Sequence, residues 1–271
     1  MTRDWNPEAP DEAVLAIART AHLVVALDFD GTASELVPDP MSARAVPEMA
    51  AAVARLGTLA DTTVAFVSGR SLVHLREIAE HDDDSSVALA GSHGAQYWFP
   101  GEGEIDLADA GEDETDAAEH TLRDALSDEL EQLLGDFPGM HLERKTLGIG
   151  IHGRRAEAAV EQRAFSAVDE VMAQRAAHWR RRTGDRILEY SFRHEGKDVA
   201  IARLRERYAA SGILFAGDDV TDEDALRTLG AGDLGVRVGA GDTAAALRVA
   251  TPQQLAQVLD VIATERGGMR E

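Results

Sequence analysis

Residues Leu23 to Thr32 read Leu-Val-Val-Ala-Leu-Asp-Phe-Asp-Gly-Thr. Leu23 to Leu27 are apolar and too few for a helix of their own, and a polar turn containing glycine follows at once. That pattern predicts a buried parallel strand. In open α/β sheets ligands bind beyond the carboxyl ends of the strands, and here that place is held by Asp28 and Asp30, with Gly31 free to make a tight turn. A spacing of two along an extended chain predicts both carboxylates on the same side, close enough to share one cation. An Asp so placed can also act as a nucleophile and form an aspartyl-phosphate. The plainer alternative is a loop of turn-forming residues.

Composition narrows the rest. With 271 residues, 44% hydrophobic and 28% charged, the chain is globular and long enough for one large or two modest domains. Cysteine is absent, so neither a disulfide framework nor thiolate chemistry operates. The first residues are acidic and carry no apolar core, and no apolar run approaches membrane-spanning length. The expected place is the cytoplasm, with no membrane partner. A formal net charge of −22 argues against nucleic acid, which needs a basic surface. The same charge means that a phosphorylated substrate requires local cations. Among 27 basic residues only Lys145 and Lys197 are lysines, which singles them out as places for a compact point charge.

In chain order, a short helical pattern over Asp11 to Arg19 precedes the first strand, and an irregular segment with Pro38 and Pro40 follows the Asp-Phe-Asp-Gly-Thr turn. A helix is expected from Pro47, a residue suited to a first helical position. A second strand, Thr63 to Val67, ends in Ser68-Gly69-Arg70, and a helix from Leu72 to Ala79 comes next. A strand, a Ser-Gly turn and a helix start make an anion-binding arrangement, although Ser68 could equally be an N-cap. Val87 to Ala90 is a third strand, ending in Gly91-Ser92-His93-Gly94-Ala95 with His93 as a possible ligand contact, and Tyr97 to Phe99 is expected to be half-buried. Gly101 to Glu119 is rich in glycine and acids, which marks a solvated connection and a domain boundary.

The next segment reads as a separate α+β unit. Leu122, Leu126, Leu130, Leu133 and Leu134 keep one helical face, and strands are expected at Met140 to Arg144 and Leu147 to His152. A second helix, a basic stretch at 178–182, a Thr183-Gly184-Asp185 turn and a strand from Ile187 to Phe192 complete it. Two helices on one face of an antiparallel sheet follow from this order. Polar residues on the other face, Glu143, Lys145, His152, Arg154 and Glu189, are candidates for substrate contact. Solvated strand residues are the alternative.

His194-Glu195-Gly196-Lys197-Asp198 leads back to the first domain, with a helix from Val199 to about Tyr208. Lys197 sits at that helix start, where the dipole disfavours a cation, so an anionic partner is expected. A fourth apolar strand, Ile213 to Ala216, ends in Gly217-Asp218-Asp219-Val220-Thr221-Asp222-Glu223-Asp224. If its strand neighbours the first one, Asp28, Asp30 and Asp218 can share Mg²⁺, which takes hard oxygen ligands. Leu234 to Val238, the loop from Gly239 to Thr243 and a last helix from Pro252 to Thr264 close the sheet.

These motifs together resemble the haloacid-dehalogenase-like phosphatases. More narrowly, Asp-Phe-Asp-Gly-Thr with Val37-Pro38-Asp39-Pro40, the Gly91 to Gln96 turn, the stretch from Glu143 to Arg154, Ile187 to Tyr190 before Glu195-Gly196-Lys197, and Gly217 to Ala225 are similar to the trehalose-6-phosphate phosphatase family. The likeness runs from about residue 22 to 260. It implies an α/β fold, a Rossmann-like parallel-sheet core of residues 1–107 and 190–271 with an inserted α+β cap of residues 108–189. It also implies Asp28 as nucleophile, Asp30 as general acid and then base, and Ser68, Gly69 and Lys197 as phosphate ligands. Mg²⁺ would take Asp28, the main-chain carbonyl of Asp30, and Asp218, while Asp219 or Asp222 orients Lys197 or a metal-bound water. Glu143, Lys145 and Glu189 match positions that read sugar hydroxyls, with Arg154 and His93 beside them. The sequence departs from the family pattern at Gly196-Lys197-Asp198 and at Tyr190-Ser191.

The implied activity is hydrolysis of trehalose 6-phosphate to trehalose and phosphate through an aspartyl-phosphate, the last step of trehalose biosynthesis, with the small sugar phosphate as the partner; a monomer is the default expectation, and the sequence does not give the oligomeric state. The alternatives are a phosphatase of another sugar phosphate, a phosphosugar mutase, and a non-catalytic sugar-phosphate sensor.

Overall fold

The computed structural model describes residues 2–9, 11–106, 114–145, 147–184, 186–193 and 196–268. Asp185 of the expected turn, the His194-Glu195 pair and residues 107–113 of the acidic connection lie outside the described residues. In chain order the elements are β1 (Arg3–Asp4), α1 (Glu12–Ala18), β2 (Leu23–Leu27), α2 (Pro47–Gly57), β3 (Thr62–Val67), α3 (Leu72–Ile78), β4 (Ala88–Gly91), β5 (Gln96–Phe99), β6 (Gly103–Asp106), α4 (Glu114–Leu134), β7 (His141–Lys145), β8 (Gly148–His152), α5 (Ala158–Arg175), β9 (Arg180–Gly184), β10 (Ile187–Ser191), α6 (Lys197–Arg207), β11 (Gly212–Gly217), α7 (Glu223–Thr228), β12 (Leu234–Val238), β13 (Leu247–Val249) and α8 (Pro252–Gly268).

The chain divides into two compact units, Met1–Asp106 with Glu195–Glu271, and Leu107–His194. The return to the first unit therefore comes after residue 190, the position expected from the sequence. The reason is that Ile187–Ser191 is paired on both sides, with β8 and β9. The described ends of the acidic stretch are regular rather than a solvated connection, because β6 pairs antiparallel with β5 and α4 begins at Glu114.

The first unit is a nine-stranded sheet in the order β1-β13-β12-β11-β2-β3-β4-β5-β6. Its pairs are parallel from β1 to β4, and β5 and β6 add antiparallel strands at one side. All five residues of β2 and all six of β11 are buried, as strands covered on both faces must be. Tyr97, Trp98 and Phe99 are buried too, more deeply than half. Position decides function here: β2 lies between β11 and β3, so the carboxyl ends bearing Asp28, Asp218 and Ser68 are adjacent.

An anchor at the amino end of β11 and β12 is Asp233, whose carboxylate is 3% exposed, pairs with Arg205 at 2.5 Å and accepts the N–H groups of Ile213 at 2.9 Å and Gly230 at 2.7 Å. Burial alone would raise its pKa, but Arg205 and the two amides outweigh that and hold it below the ordinary value. The stabilisation is present above the unfolded carboxylate value, about 3.9, and is lost as pH falls through the lower folded value. Asp233→Asn is expected to cost about 1–3 kcal/mol in urea unfolding at pH 7. The gap should narrow as both proteins are titrated below pH 4, and equal stability at pH 7 would refute this account.

The second unit is an antiparallel sheet in the order β7-β8-β10-β9. One face carries Leu142, Ile149, Ile151 and Leu188, buried, and the helices contribute Leu126, Leu130 and Leu134 of α4 with Ala164, Val168 and Met172 of α5 to the buried set. Strand alternation then puts Glu143, Lys145, His152 and Glu189 on the opposite face.

Candidate active site

β2 ends at Leu27, and the next N–H, that of Asp28, still bonds the Ala216 carbonyl of β11 at 2.9 Å. The Asp28 carboxylate therefore emerges where the two central strands stop, 5% exposed as a residue. Lys197, the first residue of α6, lies within 2.5 Å of Asp28 and 2.6 Å of Asp222. The anionic partner expected for a cation at a helix start is thus a pair of buried carboxylates. Burial disfavours the charged amine, yet Asp222 and Asp28 together raise its pKa above the ordinary lysine value.

Carboxylate oxygens of Asp28, Asp218 and Asp222 all lie within 4.8 Å of one another. Burial first, then the neighbouring acids, pushes Asp28 well above the ordinary value and Asp218 up to about 6. One lysine against three carboxylates leaves the cluster short of positive charge, and its donors are all hard oxygens. Such a site fits a magnesium-type cation. Asp222 is already used on both oxygens: Oδ1 receives Lys197, and Oδ2 accepts the N–H groups of Asp218 and Asp219 at 3.0 Å each. Asp28 and Asp218 keep the freer oxygens, and the Lys197 ammonium is held between Asp28 and Asp222. Asp219 instead turns its carboxylate to the Val220 N–H at 2.6 Å.

Gly31 has φ +78, and a Cβ there would stand 2.1 Å from the Asp218 carboxylate. Glycine is required both by the turn and by that close approach.

The expectation that Asp28 and Asp30 turn their carboxylates to one cation is not met. Asp30 is gripped by both arms of Arg70, Nε to Oδ2 at 2.6 Å and Nη2 to Oδ1 at 2.7 Å. The chain leaves extended conformation after β2, so the spacing-of-two argument stops at Asp28. Arg70 also donates to the Pro40 carbonyl at 2.9 Å, which ties the proline-containing segment to the site. Arg70 is not among the residues expected at the site, although its place beside Ser68-Gly69 at a strand end is a signal.

Ser68 follows β3, is 1% exposed, and accepts the Arg70 N–H at 3.2 Å. It is not the N-cap of α3; that role belongs to Ser71, which accepts the His74 N–H. His93 is on the adjoining turn, with its N–H on the Ser68 carbonyl at 3.0 Å. Its ring lies against Gly69, where a Cβ would stand 2.7 Å away. His93 thus shapes the Ser68-Gly69 turn from behind.

In the second unit Glu143, Gly150 and Glu189 share one row across β7, β8 and β10. Lys145 pairs with Glu189 and stands 4.0 Å from Glu143, and His152 bonds Glu143 at 2.8 Å. Burial would raise the Glu143 pKa, but the His152 hydrogen bond and Lys145 hold it below the ordinary value. Arg154 is exposed in the turn beyond β8. Of the two departures at 190–191, Tyr190 is on the apolar face, its hydroxyl bonded to Asp169, so it leaves the Glu143, Lys145 and Glu189 cluster untouched.

The trehalose-phosphatase family model matches residues 26–249, most of the chain and every residue of both clusters. The chain belongs to the trehalose-phosphatase family. Among its relatives, the trehalose-phosphate phosphatase of Mycobacterium avium is 33% identical over 91% of this chain and 64% of its own length. That of Mycobacterium ulcerans is 30% identical over 95% and 67%. The chain therefore spans about two thirds of these trehalose-phosphatase relatives. The structure of the C-terminal domain of the Candida albicans trehalose-6-phosphate phosphatase superposes with a TM-score of 0.81 over 97% of this chain and 99% of that domain. At 19% identity that likeness speaks for the fold.

Proposed function

We propose that this chain is a Mg²⁺-dependent phosphatase that converts trehalose 6-phosphate to trehalose and phosphate, the last step of trehalose biosynthesis. The observation that carries the reading is the convergence of Asp28, Lys197 and Asp218 at neighbouring strand ends, inside a chain that the trehalose-phosphatase family model matches. Asp28 attacks phosphorus in line with the departing sugar oxygen, and that oxygen takes a proton from Asp30. The resulting aspartyl-phosphate is then hydrolysed by a water that gives its proton back to Asp30. Lys197, the Ser68 hydroxyl and the Gly69 amide hold the phosphoryl oxygens. Phosphoryl transfer depends mostly on such positioning and charge stabilisation. Asp28, Asp218 and the Asp30 main-chain carbonyl would hold Mg²⁺, whose chemistry when bound is neutralisation of phosphoryl charge.

Arg70 presents the Asp30 carboxylate in one direction. Arg70→Ala is expected to lower kcat about 10²–10⁴-fold, the usual weight of general acid–base help, with KM little changed. A large KM rise at unchanged kcat would assign Arg70 to substrate binding instead.

The polar cluster around Lys145 is proposed to recognise the sugar as a cap function, with Arg154 as a further contact; His93, packed against Gly69, is proposed to act by shaping the Ser68-Gly69 turn. Glu143→Gln and Glu189→Gln should each lower kcat/KM for trehalose 6-phosphate about ten- to a hundredfold, the worth of a charged hydrogen bond. Turnover of a small aryl phosphate should stay constant. An equal loss on both substrates would remove the recognition role.

No helix among the described residues is long and apolar enough to cross a membrane. A cytoplasmic location, tested by cell fractionation, and a monomeric state, tested by sedimentation of the purified chain, complete the proposal. The deciding experiment is phosphate release with Mg²⁺ from trehalose 6-phosphate, sucrose 6-phosphate, glucose 6-phosphate and mannosylglycerate phosphate. Preference for the first by several decades in kcat/KM supports the assignment. Preference for another keeps the chemistry and changes the substrate, and binding without release makes the chain a sensor.

A further inference from the structure

Arg237, on β12, and Glu223, at the start of α7, are 8% and 4% exposed and stand outside the carboxylate cluster. Nη1 of Arg237 donates to the Asp219 carbonyl at 2.9 Å and faces Glu223 Oε1 at 3.5 Å, while Nη2 donates to the Ala240 carbonyl at 3.2 Å. The other Glu223 oxygen accepts the Ala244 N–H at 2.8 Å. The Asp219 carbonyl that Arg237 holds also accepts the Asp222 N–H at 3.2 Å. Asp222 in turn gathers the N–H groups of Asp218 and Asp219. One buried fork thus grips, from behind, the turn that carries Asp218 and Asp222, and fastens it to the loop after β12. Val238, Gly239 and Ala240 line a cavity of about 430 Å³ together with Gly31 and Asp218, so this loop reaches the rim of the site.

A buried ion pair is a poor source of stability, because desolvating two charges offsets most of their attraction. What a planar guanidinium supplies over an apolar filler is direction. Direction matters here because Asp28, Asp218 and Asp222 repel one another and would spread apart unless the backbone beneath them were held. We propose that the Arg237–Glu223 pair is a positioning device that, by holding the turn whose N–H groups Asp222 gathers, presets Asp218 opposite Asp28 for a hard divalent cation, an inference that rests on the metal reading above.

The test is calorimetric titration of the full chain with Mg²⁺ alone, in wild type, R237M, R237K and the double variant R237M/E223M, with thermal unfolding in chelator recorded for each. Replacing both charges by apolar groups avoids an orphaned buried ion, so the double variant is expected to fold. Mg²⁺ affinity should fall roughly 10–100-fold in R237M and in the double variant, as it does when partners behind a metal site are lost. R237K keeps the charge without the fork and should also bind more weakly, and it carries the test if the double variant does not fold. Wild-type affinity in a folded double variant or in R237K overturns the proposal. No Mg²⁺ binding by wild type overturns the metal reading itself, and the proposal with it.

Discussion

Asp28→Asn is expected to lower phosphate release by on the order of 10⁴–10⁶, the scale of removing a nucleophile, while leaving the protein folded. The variant keeps the shape of the side chain and removes one of the carboxylates that burial and neighbours already push toward the neutral form. Lys197 retains Asp222 at 2.6 Å, so no buried cation is orphaned. Wild type mixed rapidly with substrate and quenched in acid should carry phosphate on the chain, and Asp28→Asn should carry none. Phosphate release within tenfold of wild type would move the nucleophile elsewhere. Retained phosphate on the variant chain would do the same.

Lys197→Met should be severe in a second way. Its amine, 3% exposed, is the cation between Asp28 and Asp222. Removing one partner of a buried ionic group typically costs about 3–5 kcal/mol, since the remaining charges stay without compensation. Activity should vanish and stability at pH 7 should drop by that amount in denaturant unfolding. In wild type the raised lysine pKa contributes stability that is complete at neutral pH and fades only as pH rises past the unfolded lysine value, about 10.4. In the variant the orphaned carboxylates can recover stability by taking a proton, so the deficit should shrink between pH 7 and pH 5. A variant as stable as wild type at pH 7 would show that Lys197 is not the counter-ion of this cluster.

Much of this site was readable along the chain because its parts sit at the ends of apolar runs. Asp28, Ser68 and Asp218 each follow a buried strand, and the lone lysines, Lys145 and Lys197, each stand among carboxylates. The polar face of the second sheet followed from alternation, since Leu142, Ile149, Ile151 and Leu188 claim the buried side. Less was readable at the margins. β1 and β13, of two and three residues, carry too few side chains for any periodicity, and β6 hides in an acidic stretch. The last helix continues past Thr264 because Arg266, 5% exposed, reaches back to the carbonyls of Ala18, Thr20 and Asp61, partners from segments far upstream.

Periodicity and end-of-strand position were therefore enough to read the α/β class and to put acidic turns and the two lysines at the ends of strands and helices, since these depend on local pattern. Folding in three dimensions settled which groups face one another. It turned the Asp30 carboxylate to Arg70, gave both oxygens of Asp222 to Lys197 and the amides of its own turn, and set Arg237 behind Asp219. Those choices depend on strand order and rotamer, where a carboxylate takes whichever donors the packed backbone brings within about 3 Å, and nothing in the neighbouring sequence specifies them.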